Sequence, residues 1–334
     1  MTRKTYCILG GGGSFGIQTA LYLLDNADPD KVVGVGRNPL RPGAFSLGVE
    51  DRERFQYKQF HILHEHDLLM EYLDDLQPDV IVNFAAQGEG AVSWKHSWRF
   101  FDTNATALAR LYEALSARVW FSAGRFIQIG TSELYGSVTA PSAETDPIVP
   151  SSPYAASKAA FDLYLLAMVG AGRGAPMNIL RPSNCYCPGQ LLHRIIPRAI
   201  VAGLTGQKVP LHGGGKARKS YLHARDLARA IYLVSEADVA GRVFNVGPLQ
   251  SISIAEVARM CAEAVGVEFT DLFEVAPERL GQDSQYWLDS SAIAAAVGWE
   301  EEIGWREGLG EMADWGRKYI DQLRGWPTDY QLRA

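Results

Sequence analysis

Tyr6-Cys7-Ile8-Leu9 runs into Gly10-Gly11-Gly12-Gly13-Ser14-Phe15-Gly16, and Ile17, Ala20, Leu21, Leu23 and Leu24 follow at helical spacing. A short apolar strand, a glycine turn and an apolar helix, in that order, decide the fold class. Glycines at 10, 13 and 16 let a backbone approach a pyrophosphate. The helix start adds unbonded N–H groups and the positive end of its dipole. A glycine run elsewhere would read as a surface loop. Between strand and helix, Gly10, Gly13, Ser14, Phe15 and Gly16 are expected to hold a dinucleotide.

Working outward, Lys31-Val32-Val33-Gly34-Val35 reads as a second strand, ending in Gly36-Arg37-Asn38. A site that selects NAD usually carries a carboxylate at this strand end for the ribose 2′-hydroxyl. Gly36 stands there instead, with Arg37 next and Arg41 close behind, and a guanidinium pairs with a 2′-phosphate. NADP is therefore favoured over NAD. The segment His61 to Asp67 reads as a third strand leaving the sheet. Asp67, beside Leu68, is placed to accept from an adenine amine, or to cap a helix over 68–76. Pro78 to Gln87 is a buried strand whose small exit residues, Ala85, Ala86 and Gln87, let a cofactor reach the strand tip. The stretch 100–117 carries an apolar helical stripe suited to packing, subunit packing included. Phe126–Ile129 and Met177–Leu180 continue the alternation of strand and helix. The expected class is α/β: a Rossmann-type doubly wound parallel sheet with a smaller α+β C-terminal substrate lobe. Residues 1–182 form the nucleotide-binding domain, with 222–247 returning to it. Residues 183–221 and 248–334 form the second lobe.

The 334 residues suffice for two such lobes, and a net charge of −6 offers no basic tract to nucleic acid or to an anionic membrane. No run of about 18 apolar residues suggests a span, and the first residues leave no room for a signal peptide, so a cytoplasmic protein is expected. Cys7 and Cys261 read as core thiols. Cys185-x-Cys187 has no second pair or histidine cluster, so no metal is expected.

The chemistry gathers between Gly130 and Lys158. Gly-Thr-Ser-Glu-Leu-Tyr-Gly at 130–136 follows a buried strand, so Thr131, Ser132 and Glu133 leave its carboxyl end, where open α/β sheets bind ligands. Ser152 suits a helix N-cap and Pro153 the first helical position. Tyr154 and Lys158, four apart, then share one helix face. A nearby ammonium favours the phenolate and makes Tyr154 a usable base.

These residues together resemble the extended short-chain dehydrogenase/reductases, and among them the nucleotide-sugar 4,6-dehydratases. The likeness covers nearly the whole chain: the glycine turn, Asn83-Phe84-Ala85-Ala86-Gln87, Thr131-Ser132-Glu133, Tyr154-x-x-x-Lys158, Arg181-Pro-Ser-Asn184, and Arg218 before Ser220-Tyr221. Arg279-Leu280-Gly281-Gln282-Asp283 is similar to the Arg-Pro-Gly-His-Asp of dTDP-glucose dehydratases. Those enzymes carry aspartate where Ser132 stands; the Thr-Ser-Glu wording resembles GDP-mannose 4,6-dehydratases and UDP-glucuronate decarboxylases. The resemblance implies a carbon–oxygen lyase with a tightly bound, recycled NADP or NAD, acting on a nucleotide-diphosphate sugar. Tyr154 would take the C4 hydroxyl proton, Thr131 would bind that oxygen, and Glu133 would remove the C5 hydrogen. Water would leave from C6 with Ser132 or Glu133 as donor, and hydride would return to C6. Asn184, Arg218 and Arg279 would hold the nucleotide diphosphate, while Arg181 would be structural. The family's dimer-forming helices match 100–117 and 153–169, implying a homodimer or higher homo-oligomer. A C4 epimerase or UDP-glucuronate decarboxylase on the same scaffold is the nearest rival, and a catalytically idle nucleotide sensor the rival of another kind.

Overall fold

The computed structural model describes residues 3–277 and 284–330. Its main sheet has seven parallel strands: β1 (Thr5–Leu9), β2 (Lys31–Gly36), β3 (Phe55–Gln59), β4 (Val80–Asn83), β5 (Arg125–Ile129), β6 (Met177–Pro182) and β7 (Val243–Val246). They lie in the order β7-β6-β5-β4-β1-β2-β3. Both sheet faces are covered, so the strands other than the edge strand β3 are buried nearly end to end. Side chains alternate across the sheet: Tyr6, Ile8 and Val32 enter one core, Cys7, Leu9 and Val33 the other. The second lobe closes its own core around Ile196, Ile200, Val257 and Met312. Those residues come from helices Ile195–Thr205, Ile254–Val265 and Trp305–Lys318. Helix Ala224–Glu236 packs on α1 (Ser14–Asn26), and β7 pairs with β6.

Strand order reverses where β1 lies between β2 and β4, which opens a crevice at their carboxyl ends. The glycine turn fills its floor. Gly10 has φ +78°, and a Cβ there would lie 2.8 Å from the backbone of Phe84 and Ala85. A Cβ on Gly16 would lie 2.7 Å from the Gly10 carbonyl oxygen. Only glycine permits both the left-handed turn and this approach.

Two elements differ from the sequence expectation. The third strand is Phe55–Gln59, and the histidines at 61 and 64 fall in the turn before helix α2 (His66–Leu76). The expected helix over 100–117 is broken into Ser97–Phe101, a π-helical segment Asp102–Ala107, and Leu108–Ser116. The widened turn carries Asn104, which is fully buried. Its amide oxygen accepts from the Gln87 backbone N–H, and its nitrogen donates to the Gln87 carbonyl and to Ser157 Oγ. Such π-helical turns occur frequently at functional sites, and this one pins a strand tip. Among the described residues, no helix is long and apolar enough to cross a membrane.

Candidate active site

A cavity of about 410 Å³ lies between the lobes, above the carboxyl ends of β4, β5 and β6. Its wall includes Phe15, Ala86, Thr131, Glu133, Tyr154, Lys158 and Asn184, so the structure brings these expected site residues to one place. Ser132 begins a 3₁₀ turn over Ser132–Tyr135, and the Thr131 side chain accepts from the Glu133 N–H to start it. Ser152 Oγ caps the helix Pro153–Gly170 by accepting from the Ala155 N–H, with Pro153 in its first turn. Tyr154 and Lys158 therefore rise from one helix face beneath the Thr131–Glu133 turn.

The electrostatics differ from the simple tyrosine–lysine picture. Burial pushes the Tyr154 phenol well up, and the Glu133 carboxylate pushes it further. Arg194 and a hydrogen bond from Thr131 pull it back. Lys158, 3% exposed, donates to the Ile129 carbonyl at 2.6 Å. Burial lowers its ammonium to about 8, against the pull of Asp162. An unfolded lysine titrates near about 10.4, so between about 8 and 10.4 the unfolded chain binds more protons and stability rises with pH. The cost of burying the ammonium is thus fully present below about 8. Lys158→Met is expected to gain up to about 3 kcal/mol on wild type near neutral pH and to lose that gain toward about pH 10. Chemical denaturation at the two pH values measures it, and a pH-independent gap would contradict the assignment.

Beneath the site, Arg181 and Asp162 form an ion pair at 3.1 Å with side chains 1% and 0% exposed. The Arg181 guanidinium also donates to the Tyr135 hydroxyl, which donates to Asn245 Oδ1. Arg181 is thus structural, tying β6 to the helix that bears Tyr154 and Lys158.

Not every residue of the reading reaches the cavity. Ser132 is 2% exposed and is not part of the cavity wall. Arg218 points away from it, donating to the Ser251 carbonyl and lying 3.6 Å from Glu256. Its neighbour Lys219 lines the wall, with its ammonium 4.9 Å from the Tyr286 ring centroid. Arg218–Lys219 is a strand, so adjacent side chains face opposite ways, and the cation this strand sets on the wall is Lys219 where the sequence suggests Arg218. Asp67 and Leu68 are exposed at the start of α2. The Asp67 carboxylate accepts from Arg110 and meets His66 Nδ1, and the His66 and Arg110 contacts hold its pKa below the usual carboxylate range. Arg279 lies outside the described residues. Gln87 is buried, its backbone held by Asn104 and its side-chain oxygen 3.4 Å from the Tyr330 hydroxyl.

Other cavity residues carried weaker signals in the sequence. Glu89 stands between Gly88 and Gly90 just past β4, where a lone charge among small residues could have been noticed. Its carboxylate lies 3.5 Å from Arg194 and 4.0 Å from His193. Burial, then Arg194, lowers His193 to about 4, opposed by Glu89. Tyr286, whose hydroxyl donates to Asn184 Oδ1 at 3.0 Å, had no local motif at all.

With that geometry in hand, comparison with known proteins is specific. Residues 6–247 match the family described as NAD dependent epimerase/dehydratase. The chain belongs to that family. It is 35% identical over 261 residues to a dTDP-glucose 4,6-dehydratase of Streptomyces niveus, covering 75% of this chain and 76% of that protein. A solved dTDP-glucose 4,6-dehydratase from Streptomyces venezuelae, with NAD bound, superposes with a TM-score of 0.86 at 27% identity, covering 95% and 98% of the two chains. A trifunctional UDP-glucose 4,6-dehydratase/epimerase/reductase of Arabidopsis thaliana is 31% identical over 317 residues. This chain spans only 47% of that protein's length.

Proposed function

We propose that the protein is a nucleotide-diphosphate-hexose 4,6-dehydratase, a carbon–oxygen lyase that converts its substrate to the 4-keto-6-deoxy sugar by internal redox. The observation that carries the reading is the wall itself: a carboxylate on Glu133 near a half-buried Tyr154 that Thr131 hydrogen-bonds, at the strand ends of a Rossmann sheet. The relatives' names agree with that chemistry.

The residues present fit a dinucleotide. The tight glycine cradle and an α1 start at Ser14 with no side-chain cap on Gly13 leave N–H groups available to phosphates. A nicotinamide bound there supplies hydride acceptance from C4 and return to C6. Tyr154 takes the C4 hydroxyl proton, and Thr131 orients that oxygen. The ketone acidifies C5, and Glu133 removes its proton. Lys219 and Asn184 offer a cation and an amide to the nucleotide diphosphate.

The same reading takes NADP over NAD. A Cβ at Gly36 would lie 2.4 Å from the Tyr57 hydroxyl, so a carboxylate side chain at the end of β2 would have to displace Tyr57, and Arg37 follows. It also includes a homodimer in the cytoplasm, for which exposed Trp98, Phe101 and Leu163 supply apolar surface.

Mass spectrometry tests the proposal. The purified protein is incubated in turn with dTDP-glucose, GDP-mannose, UDP-glucose and UDP-glucuronate, and the nucleotide that co-purifies is identified. Loss of one water from one of the hexoses is expected, with NADP as the retained cofactor. Loss of carbon dioxide from the glucuronate alone, or isomerisation without mass change, would overturn the dehydratase reading.

A further inference from the structure

Dehydration needs help for the departing C6 oxygen, and the residue at 132 does not give it: Ser132 is buried and off the cavity wall. The wall offers Arg194 instead. Arg194 is the N-cap of helix Ile195–Thr205, which fixes its backbone. Its side chain is 44% exposed and lines the cavity, while Glu89 holds the guanidinium at 3.5 Å. Glu89 occupies φ +97°, ψ +97°, a conformation that costs a non-glycine residue about 1–3 kcal/mol and persists where surrounding structure demands it. Here the strain carries the carboxylate to Arg194. The same loop runs beside the catalytic carboxylate, for a Cβ on Gly90 would lie 3.6 Å from Glu133 Oε2.

The cations around the acid–base pair then divide by position. Lys158 is turned to the Ile129 carbonyl and to Asp162 beneath the site. Lys219 lies over Tyr286. Arg194 interacts with Glu89, Glu133, Tyr154 and Tyr286, with His193 adjacent. Among the described residues, Arg194 is a cation that bears on both Glu133 and Tyr154.

We propose that Arg194, tethered by Glu89, sets the charge state of Tyr154 and donates a hydrogen bond to the departing C6 oxygen. The second half rests on the dehydratase reading; the first applies to any reaction that begins by oxidising C4. In the elimination, Glu133 takes the C5 proton, and the C5–H electron pair forms the C5=C6 bond. The C6–O bond breaks with its pair on oxygen, and Glu133 returns the proton there to give water. Arg194 stabilises that oxygen without giving up a proton. The proton that Tyr154 took from the C4 hydroxyl balances, through solvent, the one C5 receives in the product.

The test compares Arg194→Met and Arg194→Lys with wild type across pH, reading the appearance of reduced nicotinamide on C4 oxidation and the release of 6-deoxy product separately. A positive charge next to Tyr154 favours its phenolate, so its loss moves the rising limb of C4 oxidation to higher pH, by about one unit. Arg194→Lys restores the limb. Product release in Arg194→Met falls more than the oxidation step does. A limb that stays in place, with only KM raised, reduces Arg194 to a binding residue and overturns the proposal. Should Arg194→Met fail to fold, Glu89→Gln decides: it keeps the charge and removes the tether, and about a tenfold fall in kcat at unchanged KM is expected. An unchanged kcat there overturns it. If wild type oxidises C4 but makes no 6-deoxy product, the dehydratase reading fails while the limb still tests Arg194.

Discussion

Replacing Glu133 by glutamine should remove 6-deoxy product formation by at least about a thousandfold, the upper range for a lost acid–base group. Glutamine keeps the side chain's size and its place in the Ser132–Tyr135 turn, so the Thr131 cap and the cavity shape survive. What disappears is the group proposed to accept the C5 proton. C4 oxidation does not need that group, so reduced nicotinamide should still form with the correct sugar. Exchange of the C5 hydrogen with heavy water should stop. Retained product formation at near wild-type rate would remove Glu133 from the mechanism. Retained C5 exchange without product would move it to the water-loss step alone.

The second large effect is on stability. The Arg181–Asp162 pair is fully enclosed. Asp162 Oδ1 has no hydrogen-bond partner among the described residues. Arg181→Met leaves that carboxylate buried without its guanidinium, and breaking such a pair typically costs about 3–5 kcal/mol. The double variant Arg181→Met with Asp162→Leu should recover most of the loss, because an apolar pair of similar volume needs no compensating charge. Denaturant unfolding of the singles and the double measures this. A double variant no better than Arg181→Met would show that the guanidinium's bond to Tyr135, not the ion pair, is what matters.

Much of this was legible in the sequence because its causes are local. A glycine turn between an apolar strand and helix, the Ser152–Pro153 helix start, and a four-residue spacing each act within a few residues. Gly10, Ser152, Tyr154 and Lys158 accordingly lie where the pattern put them. The parts that differed depend on long-range partners. Asn104 widens its helix because Gln87 and Ser157 need a buried polar partner, 17 and 53 residues away. Arg218 and Lys219 could not be told apart by composition, since a two-residue strand turns one inward and one outward. Lys158 was read as Tyr154's cation from spacing, yet the Ile129 carbonyl, 29 residues upstream, claims its ammonium. Arg194 is joined to Glu89 only by the closing of one lobe over the other, and no motif announces such a pair.

The central claim is an intramolecular redox dehydration, and a sugar deuterated at C4 tests it most directly. With the nucleotide-hexose that the protein accepts, hydride leaves C4 and returns to C6 of the same molecule. Mass spectrometry and NMR of the product should find the deuterium at C6, a mass lower by one water, and no dependence on added cofactor. Deuterium found back at C4, or lost to the added cofactor pool, would contradict the account.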